Sequence, residues 1–171
     1  MENIEGEGDY THLVDPGSLA ALSSELSGIT TLIDTIRHEE NLLYFPQVEA
    51  LDHWYWVSVS SGQVYEFPLV LSDPVLGDGS IRLGLWSNTE AAQNPDHHLL
   101  IAINGQNILD ASWEGKGEQQ LEAVIPSGIL LSGENKVRVE VPADIQTTVD
   151  ICWINWFEIS YPRLAVAHDE Q

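Results

Sequence analysis

The sequence predicts an all-β antiparallel sandwich with a short N-terminal extension, and three observations carry that reading. Residues 136–141 read KVRVEV, which puts Val137, Val139 and Val141 on one face of a strand and Lys136, Arg138 and Glu140 on the other. The apolar run LLIAI meets Asn104-Gly105, the strongest short hairpin signal. After residue 40 there is no helical period, only short apolar runs separated by turn residues.

The elements follow in order. Residues 1–14 are acidic and contain glycine. Asp15-Pro16 marks a helix start, with Asp as N-cap and Pro in the first turn. Leu19, Leu22 and Leu26 then recur at helical spacing, and Gly28 is a natural stop. In ITTLIDTI, residues 29–36, six of eight residues are β-branched, which favours a strand. Leu19, Leu22, Leu26, Ile29, Ile33 and Ile36 also step by three and four, as a heptad seam would. A short helix followed by a strand is the preferred reading. Seven or eight strands come next: HWYWVSV, VYEFPLVL, IRLGLW, LLIAI, QQLEAVI, KVRVEV and a closing VDICWINWFEISY. The turns between them suit a sandwich. The expected organisation is an extension over residues 1–36, one sandwich over 37–163 and a tail over 164–171. A chain of 171 residues holds one sizeable core and is short for two.

Charge narrows the partners. Six Lys+Arg face 27 Asp+Glu, a net charge of -21. Such a field argues against nucleic acid and against an anionic membrane. There is no run of 18 apolar residues, the length a spanning helix needs, and MENIEGEGDYTHL is no signal peptide. The single cysteine, Cys152, excludes an intramolecular disulfide and a CxxC zinc site. It lies in an apolar strand, which points to core packing rather than nucleophilic chemistry. GxSxG, HExxH and P-loop motifs do not occur.

Strand alternation sorts the aromatic residues. Tyr55, Val57 and Val59 share an apolar face, and Trp54 and Trp56 share the other. Two bare tryptophans would be a large apolar patch, so they need a cover. The stripe Leu19, Leu22 and Leu26 is the proposed one, and these five residues are the candidate interaction surface. Trp153 and Trp156 should lie on opposite faces of the last strand.

RHEENLLYFP, DHWYW, HHLLIAINGQNILDASWEG, SGENKVRVEVP and WINWFEISYPR together resemble a known group. It is the jelly-roll accessory domains found beside gingipain-type cysteine peptidases in large secreted bacterial proteins. More loosely, the sequence is similar to galactose-binding-like and carbohydrate-binding sandwich modules. The resemblance covers roughly residues 37–163. It implies a jelly roll, a secreted location, and binding rather than catalysis.

The candidate sites follow. Trp86, at a strand end beside the amide-rich loop SNTEAAQNPD, pairs with Asn88 as a sugar platform, and Trp113 is a second aromatic candidate. Calcium is the cofactor the carboxylates suit, because hard cations want several oxygens. Asp73 and Asp78 in SDPVLGDGS are candidate ligands. Glu40, Glu39 and Asp150 are added by similarity to sandwiches that hold calcium between their first and last strands. His97 and His98 are adjacent, so they enter a strand on opposite faces and fit a shared metal badly. The expected function is a non-catalytic module for carbohydrate or a surface ligand. The alternatives are a structural subunit that binds a protein partner or its own copy through the N-terminal segment, and, last, a hydrolase or lyase.

Overall fold

A computed structural model describes residues 31–145 and 149–165. Leu19, Leu22 and Leu26, the expected helix and the cover they were to form all fall outside the described residues. Among the described residues every regular element is a strand: β1 (Thr31–Glu39), β2 (Leu43–Tyr44), β3 (Trp54–Tyr55), β4 (Val57–Ser60), β5 (Gln63–Leu71), β6 (Gly79–Ser87), β7 (His97–Ile103), β8 (Gln106–Trp113), β9 (Gly117–Ile125), β10 (Gly133–Val141) and β11 (Ile151–Leu164).

Two antiparallel sheets form the sandwich. One runs β1-β11-β6-β9, with β4 also paired to β11, and the other runs β5-β10-β7-β8. A two-stranded ribbon, β2-β3, stands apart. The clean alternations place the core. Val137, Val139 and Val141 of β10 are fully buried, as are Phe67, Leu69 and Leu71 of β5 and Ile81, Leu83 and Leu85 of β6. They meet Cys152, Ile154, Phe157 and Ile159 of β11 across the layers. Pro68 interrupts VYEFPLVL without harm because β5 is an edge strand, where a missing N–H is tolerated. Asn104 and Gly105 carry positive φ, 51° and 82°, as a two-residue hairpin turn requires. The Asn104 side chain also donates to Asn135 Oδ1 at 2.8 Å and accepts from the Lys136 amide at 3.0 Å. The strand reading of the first β-branched run holds over Thr31–Glu39, which pairs along its length with β11.

Two expectations about tryptophan fail, each for a backbone reason. β11 carries an irregularity between Ile154 and Trp156. One extra residue there shifts the alternation by one. Cys152 and Ile154 before it, and Phe157 and Ile159 after it, therefore all point into the core. Trp153 and Trp156 consequently share the outer face instead of opposing each other. Trp153 is covered by Phe45, stacked at 3.8 Å. Trp156 is covered by Arg37, 4.2 Å above its ring. The second failure concerns Trp54 and Trp56. The chain leaves the ribbon and joins the sheet at Trp56, whose amide donates to Ile154 O at 2.7 Å. Alternation restarts there. Trp54 stays outside, while Trp56 turns in against Phe67 at 4.4 Å and Phe157 at 5.9 Å.

Gly84 lets Trp156 lie flat on the sheet, since a Cβ built there would overlap the indole ring. Gly84→Ala is expected to expel Trp156 from beneath Arg37 and to cost about 1–3 kcal/mol, the usual penalty of overpacking. Urea denaturation measures it. An unchanged midpoint would show that the ring has room to move.

Candidate functional site

The sequence-predicted platform is not available to a ligand. Trp86 is only 6% exposed, packed with Val48, Tyr55 and Trp153 in a second apolar cluster. It lies on the outer face of its sheet, but residues 45–53 fold over that face and close it. Trp86 Nε1 is buried without a hydrogen-bond partner. The backbone N–H of Asn88 donates to Ile151 O at 2.9 Å and extends the sheet edge. Trp113 is half-buried, stacked on His97 at 5.2 Å, and its Nε1 donates to Ser87 Oγ at 2.7 Å. It packs, as its strand position allows.

The proposed cation ligands do not converge either. Asp73 and Asp78 lie in the turn between β5 and β6, and Asp78 Oδ1 accepts from the Ser127 amide at 3.0 Å. Glu40 follows β1 and is exposed. Asp150 is buried ahead of β11. It accepts from His97 Nδ1 at 2.6 Å and from the His98 amide at 3.2 Å. Among the described residues, the one group of His, Cys, Asp and Glu close enough to share an ion is His97, Asp150 and Cys152. Its donors do not suit calcium, which wants several oxygens. Both imidazole nitrogens are already engaged, Nδ1 by Asp150 and Nε2 by Thr89 O at 3.0 Å. Burial, reinforced by Asp150, pushes the Cys152 thiol far up, which disfavours the thiolate a nucleophile needs. His97 and His98 do take opposite faces, one buried and one half-buried.

The described residues offer another site, where the two sheets part between the end of β1 and the β5 edge. A cavity of about 330 Å³ opens there. His38, Trp56, Tyr65 and Phe67 form its aromatic wall, and Glu39, Glu40 and Glu66 stand around it. The wall is fixed from behind: His38 stacks on Phe157 at 5.1 Å, and Tyr65 leans on Phe67 at 4.7 Å. Tyr65 remains 39% exposed at the mouth. Burial lowers the His38 pKa, so at neutral pH its imidazole is uncharged and can both donate and accept. Glu39 is held by Arg37 at 2.8 Å and Glu66 by Lys136 at 3.0 Å. The arrangement offers flat apolar faces beside hydrogen-bond acceptors, in a volume that fits a small ligand.

Sequence reasoning found Glu40 and Trp56 here in other roles and missed Tyr65. Tyr65 shares its parity with Phe67, Leu69 and Leu71 and so reads as core. It stands near the start of the edge strand β5, where the facing residues leave a cavity rather than close over it. No signal in the sequence marks where that cover ends.

No protein-family model and no curated protein sequence matches this chain. Solved structures do. The dimeric latent PorU from Porphyromonas gingivalis matches with a TM-score of 0.60 at 15% identity, over 80% of this chain and 13% of that one. A β-porphyranase of glycoside hydrolase family 86, from the human gut bacterium Bacteroides plebeius, matches with a TM-score of 0.50 at 14% identity, over 81% of this chain and 22% of that one. A family 35 carbohydrate-binding module from an environmental isolate has a TM-score of 0.48 at 12% identity, over 77% of this chain and 91% of that one. The chain thus spans a small part of the first two. At these identities the likeness is one of fold: the described chain is a jelly-roll β-sandwich similar to the one within PorU.

Proposed function

We propose that this chain is a non-catalytic carbohydrate-binding module and that the sugar lies in the slot between β1 and β5. The observation that carries the reading is the pairing of the half-exposed Tyr65 ring and its aromatic neighbours with Glu40 and Glu66 around one cavity. A pyranose ring has an apolar C–H face, which an aromatic ring covers, and a rim of hydroxyls, which carboxylates bind. The β-porphyranase, a member of glycoside hydrolase family 86, contains a fold of this kind in 22% of its length.

The ion pairs around the slot support binding without turnover. Glycoside hydrolysis needs an acid and a carboxylate facing across the bond. Here Glu39 and Glu66 each give Oε2 to an ion pair, with Arg37 and Lys136, and keep Oε1 to accept from a hydroxyl. Cys152 has no exposure at all.

The test is titration calorimetry against neutral oligosaccharides. Tyr65→Ala is expected to weaken binding about tenfold, which is about 1.4 kcal/mol. Its melting temperature should hardly move, because the ring is already half in solvent. Affinity that survives Tyr65→Ala would place the ligand elsewhere. A chain that binds no saccharide would overturn the reading.

A further inference from the structure

A second aromatic station adjoins the slot. On the β2-β3 ribbon, Tyr44 and Trp54 are register partners, with ring centroids 4.8 Å apart. Both face solvent, 53% and 42% exposed. Leu42, on the same side of the ribbon two residues earlier, is 63% exposed and also lines the slot. It joins the two stations into one surface. The opposite side of the ribbon is pinned, because Leu43, Phe45 and Tyr55 pack into the second apolar cluster with Trp153. The Trp54 amide is fixed as well, donating to Asp52 Oδ1 at 2.9 Å. The exposed rings are therefore held in place rather than free to bury themselves.

His53 completes the station. Its ring sits edge-on to Tyr44 at 6.2 Å, and its Nδ1–H donates to Phe45 O at 3.3 Å. In that tautomer Nε2 is an acceptor for a hydroxyl.

We infer that the slot and the ribbon bind one extended, uncharged glycan chain, with one sugar in the slot and further units stacked across Leu42 onto Tyr44 and Trp54. This rests on the carbohydrate reading above and names the ligand class. Charge selects within that class. The chain carries a net charge of -21, and Glu39, Glu40 and Glu66 surround the slot. The nearby cations Arg37 and Lys136 are already paired with Glu39 and Glu66. A uronate or sulfated polymer would meet like charge along its whole length. Continuous apolar faces on a neutral chain would not.

The experiment is calorimetry with neutral β-1,4-linked gluco-, manno- and xylo-oligosaccharides of two to six units, and with oligogalacturonates of matching length. Affinity for at least one neutral series should rise about tenfold or more from two units to six. Trp54→Ala should remove that rise and leave the two-unit affinity unchanged, whereas Tyr65→Ala should weaken every length. Oligogalacturonates should bind more weakly than the neutral series. Short sugars that bind with no gain from added units would overturn this inference and leave the slot intact. Loss of all saccharide binding would take the slot down with it. A length gain that persists in both Trp54→Ala and Tyr44→Ala would also overturn the inference, as would self-association of the wild type that Trp54→Ala abolishes, since that assigns the ribbon to protein contact.

Discussion

Asp150→Ala is expected to lower stability by about 3–5 kcal/mol, the usual cost of removing one partner from a buried ion pair. Asp150 and His97 are almost wholly buried, at the end of the sandwich where β7 begins and β11 starts. His97 donates from both ring nitrogens, to Asp150 Oδ1 at 2.6 Å and to Thr89 O at 3.0 Å. A carbonyl can only accept, so the ring that satisfies both is the imidazolium. Removing Asp150 takes the hydrogen-bonded counter-charge from Nδ1, leaving only the Asp96 carboxylate 3.7 Å from Nε2, and strands the His98 amide, which now bonds Asp150 Oδ2 at 3.2 Å. Asp144→Ala is the control. It takes a half-exposed carboxylate from the less buried His98, and a pair of that kind contributes about 0–1 kcal/mol.

The same pair sets a pH dependence. Burial alone would lower the His97 pKa. The hydrogen bond and charge of Asp150 oppose it, aided by Thr89 O and the Asp96 charge, and the net shift is upward. A group whose folded pKa lies above its unfolded value of about 6.5 contributes its full stability below that pH. It loses the contribution as pH rises through the raised value. Wild-type stability from this source should therefore fall on the alkaline side of pH 6.5. His98 is shifted the same way: burial lowers it, and Asp144 and Asp110 more than compensate. Asp150→Ala should keep the shallower slope from His98 and lose the part from His97. Urea denaturation at pH 6 and pH 9 separates the two. A loss below about 1 kcal/mol, or an unaltered slope, would mean that His97 is neutral in the folded protein.

Much of the fold was legible because its signals are local. KVRVEV, VYEFPLVL and Asn104-Gly105 each specify their own strand or turn within a few residues, and the structure places all three as read. The site was less legible because its signals are not local. In ICWINWFEISY the polar residues switch parity, from Asn155 to Glu158 and Ser160, but the tryptophans on either side of Asn155 suit either face, so the one-residue shift is easily missed. Trp86 reads as exposed from its strand end and its polar loop. What buries it is residues 45–53, a separate stretch that folds across the outer face. Tyr65 is the converse, a residue of core parity that the facing side chains leave 39% exposed. Cover, more than propensity, decided where the aromatic residues ended up.

The second large effect is behind the aromatic wall of the slot. Phe157→Ala is expected to cost about 3–5 kcal/mol, the range for deleting a buried aromatic ring. Phe157 has no exposure and touches three aromatic neighbours: His38 stacked at 5.1 Å, Trp56 at 5.9 Å and Phe67 edge-on at 5.4 Å. Removing the ring leaves a void the β11 backbone cannot close, because the strand is tied on one side to β1 and on the other to β6. The transfer loss and the cavity therefore add rather than relax away. Phe157→Leu keeps most of the volume and should cost about 1.5 kcal/mol or less. The pair of variants separates two effects. In Phe157→Ala the slot loses the support behind His38 and Trp56, so sugar affinity should fall even where the protein is fully folded. In Phe157→Leu stability should recover while part of the affinity loss remains, since a branched aliphatic side chain does not hold two rings flat. Denaturation and calorimetry on both variants test this. Affinity that follows stability alone would mean that the rings keep their positions without Phe157.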